Sequence, residues 1–345
     1  MKFHADVVNV GLLMRLCNTV GKVSRQCVLL VTDQAVRLVA ETPISDGTSL
    51  WVGMPPRTLL EAVVLRSAVE ENAVALALSA EHLERAARSG VNAQACRVRL
   101  RRRGGRPVLS VTADVSMPQP LTVTQDVPCT PLNARAIRGL LEPDLPPPST
   151  AVALPGLKQL RCVVDHLARI ADTLTLTVAS DGTLTLEANT PNVTVAATYS
   201  ALPMPILGTA AASASTAAAA TAATAEGGSS STSSTVVSSA ASTQQGGTAP
   251  SSSPSAAAGT PAPVGTPPVA ADVPATSAAA GAGETAATRR AFSADVAAAK
   301  LARFLPCAQL RPERVICCVV ERYNIVMHAV VGDVYLTYFI PVLCS

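Results

Sequence analysis

The residues of this chain best suited to chemistry are cations on helical faces. In Gly11–Lys22, an apolar stripe of Leu12, Leu13, Leu16 and Val20 is opposed by Arg15, Thr19 and Lys22 at i, i+4 and i+7, with Arg25 just beyond. Ala80–Ser89 carries Arg85 and Arg88 beside core-facing Leu83 and Ala87. Pro155–Ala171 carries Lys158, Arg161 and Arg169 away from Leu157, Leu160, Val164 and Leu167, and Ala294–Leu305 offers Lys300 and Arg303. Guanidinium and ammonium groups so placed attract phosphate weakly and in a salt-dependent way. On one helix the pattern is a solvated face. Its recurrence on four favours a shared surface for an anionic partner, diluted by Glu81, Glu84 and Asp165.

The densest basic run is Arg97-Val98-Arg99-Leu100-Arg101-Arg102-Arg103, followed by Arg106. Strand alternation puts Arg97, Arg99, Arg101 and Arg103 on one face and Val98 and Leu100 on the other. A solvated outer wall, an anion-binding patch and a nuclear-import signal all fit such a run. The first is favoured because the run begins with inward apolar partners.

Catalytic chemistry has little to stand on. There is no Gly-rich phosphate loop, no Gly-x-Ser-x-Gly elbow and no paired His ligands. His4, His82, His166 and His328 are scattered, and Asp165 and His166 are helix neighbours that do not face each other. Cys17, Cys27, Cys96, Cys129, Cys162, Cys307, Cys317, Cys318 and Cys344 form no Cys-x-x-Cys pair and read as buried reduced thiols, favouring a reducing compartment. No enzyme activity, cofactor or metal is expected. No charged-then-apolar leader opens the sequence, so secretion is not expected. Glu321, Arg322 and Asp333 break the apolar stretch Val315–Leu343, which argues against a membrane span.

The elements that carry these cations repeat. A short strand, a helix and three strands with tight turns recur four times, starting near Lys2, Asn72, Thr150 and Arg289. Asp181-Gly182 between alternating strands is a strong hairpin signal, and Gly104-Gly105 supplies another turn. Thr58–Leu65 is expected as an extra extended segment, and Ser293 and Asp295 as the start of the fourth helix. Pro128–Ser149, with six prolines and a short helix at Ala134–Leu141, reads as a stiff connector. Between Gly208 and Thr288, 71 of 81 residues are Ala, Ser, Thr, Gly or Pro, a composition that predicts disorder. That stretch holds Glu226, Asp272 and Glu284 and no Lys or Arg, so the formal net charge of +3 becomes +6 without it. By the logarithmic law of loop closure, such an insert adds only about 2 kcal/mol.

The expected organisation is α+β with an N-terminal domain at 1–128, a connector at 129–149, and a C-terminal domain at 150–202 and 289–345. A disordered insert is expected at 203–288. Two domains of paired units joined by a Pro-rich connector resemble the DNA sliding clamps of the PCNA type, and within them the Hus-one branch of the checkpoint clamp, the nine-one-one heterotrimer. The resemblance is carried by Met1-Lys2-Phe3, Ser49-Leu50-Trp51, Val123-Thr124-Gln125-Asp126-Val127-Pro128, Leu154-Pro155-Gly156-Leu157-Lys158 and Tyr338-Phe339-Ile340-Pro341-Val342-Leu343.

It implies helices that line a central hole and sheets that form the outer wall. Arg15, Lys22, Arg25, Arg85, Arg88, Lys158, Arg161, Arg169, Lys300 and Arg303 would then face double-stranded or damaged DNA, and the Arg97–Arg106 run would lie outside. It further implies a nuclear, non-catalytic subunit joining two other clamp subunits. A clamp loader would open it onto DNA, and repair and signalling proteins would bind it, with no membrane involved. Sheet edges near Val108–Val115 and at Thr183–Ala188 or its neighbours are the expected pairing sites. A homotrimeric replication clamp and a non-DNA scaffold are the alternatives.

Overall fold

The first unit follows from its alternation and caps. Strand β1 (Lys2–Val7) leads into helix α1 (Val10–Val23), where Asn9 accepts from the Leu12 backbone N–H at 2.9 Å. The meander β2 (Gln26–Val31), β3 (Val36–Glu41) and β4 (Ser49–Met54) follows. A computed structural model describes residues 1–42, 46–69, 72–116, 119–140, 142–143, 146–205, 290–320 and 323–343 of the chain. The low-complexity stretch, from 206 onward, lies outside the described residues.

Thr58–Leu65 is not one extended segment. It divides between the single helical turn α2 (Pro56–Leu59), with proline at its start, and strand β5 (Leu60–Arg66). The second unit is β6 (Val74–Ser79), α3 (Ala80–Ser89), β7 (Ala95–Arg103), β8 (Arg106–Ser116) and β9 (Pro120–Pro131). In the connector, Pro128–Pro131 still belong to β9, and the helix α4 spans only Ala134–Arg138.

The third unit is β10 (Thr150–Ala153), α5 (Leu157–Leu167), β11 (Thr173–Ala179), β12 (Leu184–Asn189) and β13 (Thr194–Tyr199). Gly182 turns the β11–β12 hairpin at φ +78°, and any Cβ there would strike the Leu202 carbonyl. The fourth unit departs from expectation at its start. The expected leading strand is there but runs on: residues 294–297 continue strand β14 (Ala291–Ala297) in place of opening the helix, and α6 begins only at Ala298 (Ala298–Phe304). β14 pairs with β11 along its whole length, from Thr173↔Ala297 to Ala179↔Ala291. Ser293 is therefore no N-cap and Asp295 does not meet the helix dipole; the Asp295 carboxylate accepts from the Thr175 hydroxyl at 2.6 Å. A 3₁₀ turn (Leu305–Leu310) then leads to β15 (Arg314–Val320), β16 (Asn324–Val331) and β17 (Val334–Pro341).

The units are interlocked by exchange of their leading strands. β1 pairs with β7 of the second unit, while β6 pairs with β2 of the first. Likewise β10 pairs with β15, and β14 with β11. The two halves join where β4 pairs with β17, from Gly53↔Tyr335 to Ser49↔Phe339. Gly53 is required there, because a Cβ would overlap the Tyr335 ring. The result is a sheet of thirteen strands, ordered β10-β15-β16-β17-β4-β3-β2-β6-β9-β8-β7-β1-β5, plus a second of four, β13-β12-β11-β14.

One contiguous core lies between the strands and α1, α3, α5 and α6, with Leu16, Leu83, Val164, Leu301 and Phe304 at its heart. On the opposite face, Trp51, Cys318 and Phe339 form a smaller cluster with Leu140, and Ile137 joins another with Leu30 and Ala75. Thus α4 and the residue after it cover the outer wall. Cys317 sits in the main core and neighbouring Cys318 in the outer cluster, as strand alternation requires.

Of the expected pairing edges, Val108–Val115 needs correction, while for Thr183–Ala188 or its neighbours the open strand is the neighbour. β8 has β7 on one side and β9 on the other, and β12 lies between β11 and β13. Beside the terminal strands β5, β10 and β14 of the two sheets, two open stretches lie next to the expected ones. β9 pairs with β6 only at Cys129–Pro131, leaving Pro120–Pro128 with β8 alone, and β13 pairs with β12 alone among the described residues.

Candidate nucleic-acid interface

The four amphipathic helices form a row. α1 packs beside α3 and also touches α6 and the 3₁₀ turn, while α5 packs on α6 and the same turn. All bury their apolar stripes in the one core, so their polar sides share the surface turned away from the strands.

The ten candidate cations divide by what holds them. Lys22, Arg25, Lys158 and Arg169 are exposed and make no ion pair among the described residues. Arg85 pairs with Glu81 at 2.8 Å, Arg88 with Glu84, and Arg161 with Asp165 at 3.6 Å, each one helical turn apart. Exposed pairs such as those of Arg85 and Arg161 are worth a few tenths of a kcal/mol, so these two arginines can exchange partners with phosphate at low cost (~0.3–0.5 kcal/mol), whereas Arg88 answers a Glu84 side chain that is only 16% exposed.

The remaining three are committed elsewhere. Thr19 is buried: its hydroxyl donates to the Arg15 carbonyl at 2.9 Å and accepts from Gln309 Nε2 at 3.2 Å. Asn18 donates to Gln309 Oε1 at 3.0 Å, so the 3₁₀ turn covers that side of α1. Arg15 is consequently half-buried, with Nε shielded and unpartnered among the described residues. Lys300 keeps only 14% of its side chain exposed, with Nζ 2.7 Å from the Asp46 carbonyl and 3.1 Å from its carboxylate. Arg303 reaches the other Asp46 oxygen at 3.0 Å. Sequence reasoning missed Asp46, Asn18 and Gln309, which tie the two halves of the chain together; a lone acid in a turn gives no signal of its distant partners.

Burial raises the Asp46 carboxyl, but hydrogen bonds from Lys300 and Thr42 and the nearby Arg303 charge outweigh it and hold the group below its ordinary value. A depressed folded pKa contributes stability that is complete above the unfolded value and lost as pH falls through the folded one. Acid unfolding should therefore steepen below about pH 4, the ordinary carboxylate range. Asp46→Asn should flatten that acid limb and cost about 1–3 kcal/mol at neutral pH, by stranding the largely buried Lys300. Urea unfolding at several pH values reads both effects.

The cysteine expectation needs one correction: Cys162 is exposed on α5. Burial pushes the thiols of Cys27 and Cys307 up to about 12 and those of Cys129 and Cys318 up to about 11, which keeps them protonated and inert. No cluster of three or more His, Cys, Asp or Glu residues arranged to hold a metal occurs among the described residues.

Exchanged strand–helix–strand units, with a helix row on one face and a strand wall on the other, define a PCNA-like clamp subunit. Proliferating Cellular Nuclear Antigen from Entamoeba histolytica matches this fold with a TM-score of 0.61 over 99% of each chain, at 9% identity. The Hus1-like protein family matches residues 1–344, and the chain belongs to it. Its similarity to the checkpoint protein Hus1 of Homo sapiens is 27% identity, covering 61% of this chain and 77% of that one. The Schizosaccharomyces pombe checkpoint protein is 28% identical, covering 60% and 72%, and the Dictyostelium discoideum homologue 26%, covering 60% and 77%.

Proposed function

We propose that the chain is a non-catalytic subunit of a heterotrimeric checkpoint sliding clamp that acts in the nucleus, encircles DNA at damage sites and supports damage signalling and repair. Residues 1–128 and 150–202 with 289–345 act as its two clamp domains, linked through 129–149. The observation that carries the reading is the helix row: exposed Lys22 on α1 and Lys158 on α5, with exposed Arg25 and Arg169 just past the C-terminal ends of those helices, on a layer whose other side is walled by strands. Cations unpaired or loosely paired attract phosphate without locking onto it, which suits a ring held on DNA by topology.

The free edges supply the means of assembly. Pro120–Pro128 of β9 lies in the first half of the chain and β13 in the second, so a neighbour's strand added to each extends both sheets. Such head-to-tail contacts close into a ring. Two other clamp subunits would occupy these edges, a clamp loader would open the ring, and repair and signalling proteins would dock on its outside. The test is topological. Clamps containing this chain, loaded onto a nicked circle, should stay bound at high salt and leave when the circle is linearised. Salt-sensitive binding that is indifferent to linearisation would refute encirclement.

A further inference from the structure

The outward face of β7 carries more positive charge than a solvated wall requires. Arg97, Arg99, Arg101 and Arg103 are exposed there, while Cys96 and Val98 on the other face are 4% exposed and belong to the main core. The arginines thus point away from the helix row. Asp114 holds Arg97 and Asp126 holds Arg103, pinning the two ends of the line. Arg99 meets His4 Nε2 at 3.3 Å, and Arg101, Arg102 and Arg106 form no ion pair among the described residues. Arg103 stands directly opposite Arg106 across the hairpin, and Lys2 directly opposite Arg66 on β1 and β5. Like charges in facing positions destabilise a sheet; Asp126 answers Arg103, while Lys2, Arg66 and Arg106 form no ion pair among the described residues and point to an external counter-charge.

The strand also excludes the import-signal reading of the run. Its backbone is paired to β8 throughout and to β1 at Arg97–Arg99, so it is not available as an extended peptide.

We infer that this corner of the outer wall, Lys2, Arg66, Arg99, Arg101 and Arg106, holds the sugar-phosphate backbone of single-stranded DNA. The choice of DNA rests on the clamp reading above; the presence of an anion site does not. Alternate residues of a strand repeat every ~6.6–6.8 Å. Arg99 and Arg101, alternate on β7, can thus meet successive phosphates of an extended single strand. Planar guanidinium forks suit phosphate oxygens, and all the cations but Lys2 are arginines. Lys2, Arg66 and Arg106 stand on the flanking strands β1, β5 and β8, a spread set of sites that a flexible single strand can follow and a stiff duplex cannot. No aromatic side chain lies among these positions, so bases are not stacked and the binding is indifferent to sequence.

The test uses the full chain assembled in its clamp and a fluorescein-labelled thymidine 20-mer followed by anisotropy. R99E/R101E/R106E should weaken binding about tenfold or more and lower the slope of log affinity against log salt by about 2, from three lost single-strand phosphate contacts. R99Q/R101Q/R106Q should give a smaller loss at unchanged melting temperature, which separates the effect from misfolding. In a K22E/R25E/K158E/R169E background, where loading onto circles fails, R99E/R101E/R106E should still weaken oligonucleotide binding by the same factor, so the two nucleic-acid surfaces fail separately. The inference is overturned if the charge-reversed, folded variant binds like the wild type. It is equally overturned if poly-glutamate of equal charge competes as well as the oligonucleotide, since the site would then serve an acidic protein segment.

Discussion

Reversing Lys22, Arg25, Lys158 and Arg169 to Glu together is expected to lower loading onto nicked circular DNA about tenfold while leaving the melting temperature unchanged. All four are exposed and make no ion pair among the described residues, so their loss removes no internal contact. The salt exponent of loading should fall by about 3–4, one fraction for each duplex phosphate no longer met. Clamps that do load should remain until linearisation, because topology, not charge, holds them. Lys300→Glu offers the contrast. It should unfold the protein more readily with little specific effect on loading, since Lys300 serves Asp46 at the joint between the halves. Loading assays paired with thermal melts distinguish these outcomes.

Proline scanning of β13 should have an effect at least as large on assembly. Successive N–H groups of an antiparallel strand point to opposite sides, and among the described residues β13 pairs only with β12, at Glu187↔Ala196 and Leu186↔Ala197. Of Ala196→Pro and Ala197→Pro, one therefore removes a ladder donor and the other a donor on the free edge. The edge variant should keep the wild-type melting temperature, because proline is tolerated on an open edge. It should nevertheless lose ring formation by about tenfold or more, as a neighbour's strand finds a missing donor and a ring in its place. The ladder variant should lower the melting temperature instead. If both variants assemble normally, β13 is not an intersubunit edge.

Much of this was legible before any coordinates. The stripes of α1, α3 and α5 are apolar at helical spacing, and Leu16, Leu83 and Val164 are buried where that spacing puts them. Asp181-Gly182 marks its hairpin because only glycine takes φ +78° there without strain. The start of the fourth unit was misread for a physical reason. Ala-Phe-Ser-Ala-Asp-Val-Ala offers helix formers and cap residues, but its inward Ala294 and Val296 alternate at strand period and pairing with β11 decides the matter.

The exchange of leading strands left no local mark, since β1 meets β7 across about ninety residues of intervening chain. For the candidate site, sequence correctly put the basic residues away from the apolar stripes. It did not reveal that Asp46 and Gln309 claim Lys300, Arg303 and the Thr19 side of α1, because those contacts form only when the two halves join through β4 and β17.

The central claim is that this chain supplies one third of a mixed ring through two different free edges. Multi-angle light scattering of the purified chain, alone and with two other clamp subunits, tests it most directly. The account predicts a monomer alone and a single one-to-one-to-one complex in the mixture. A stable trimer of this chain by itself would contradict it.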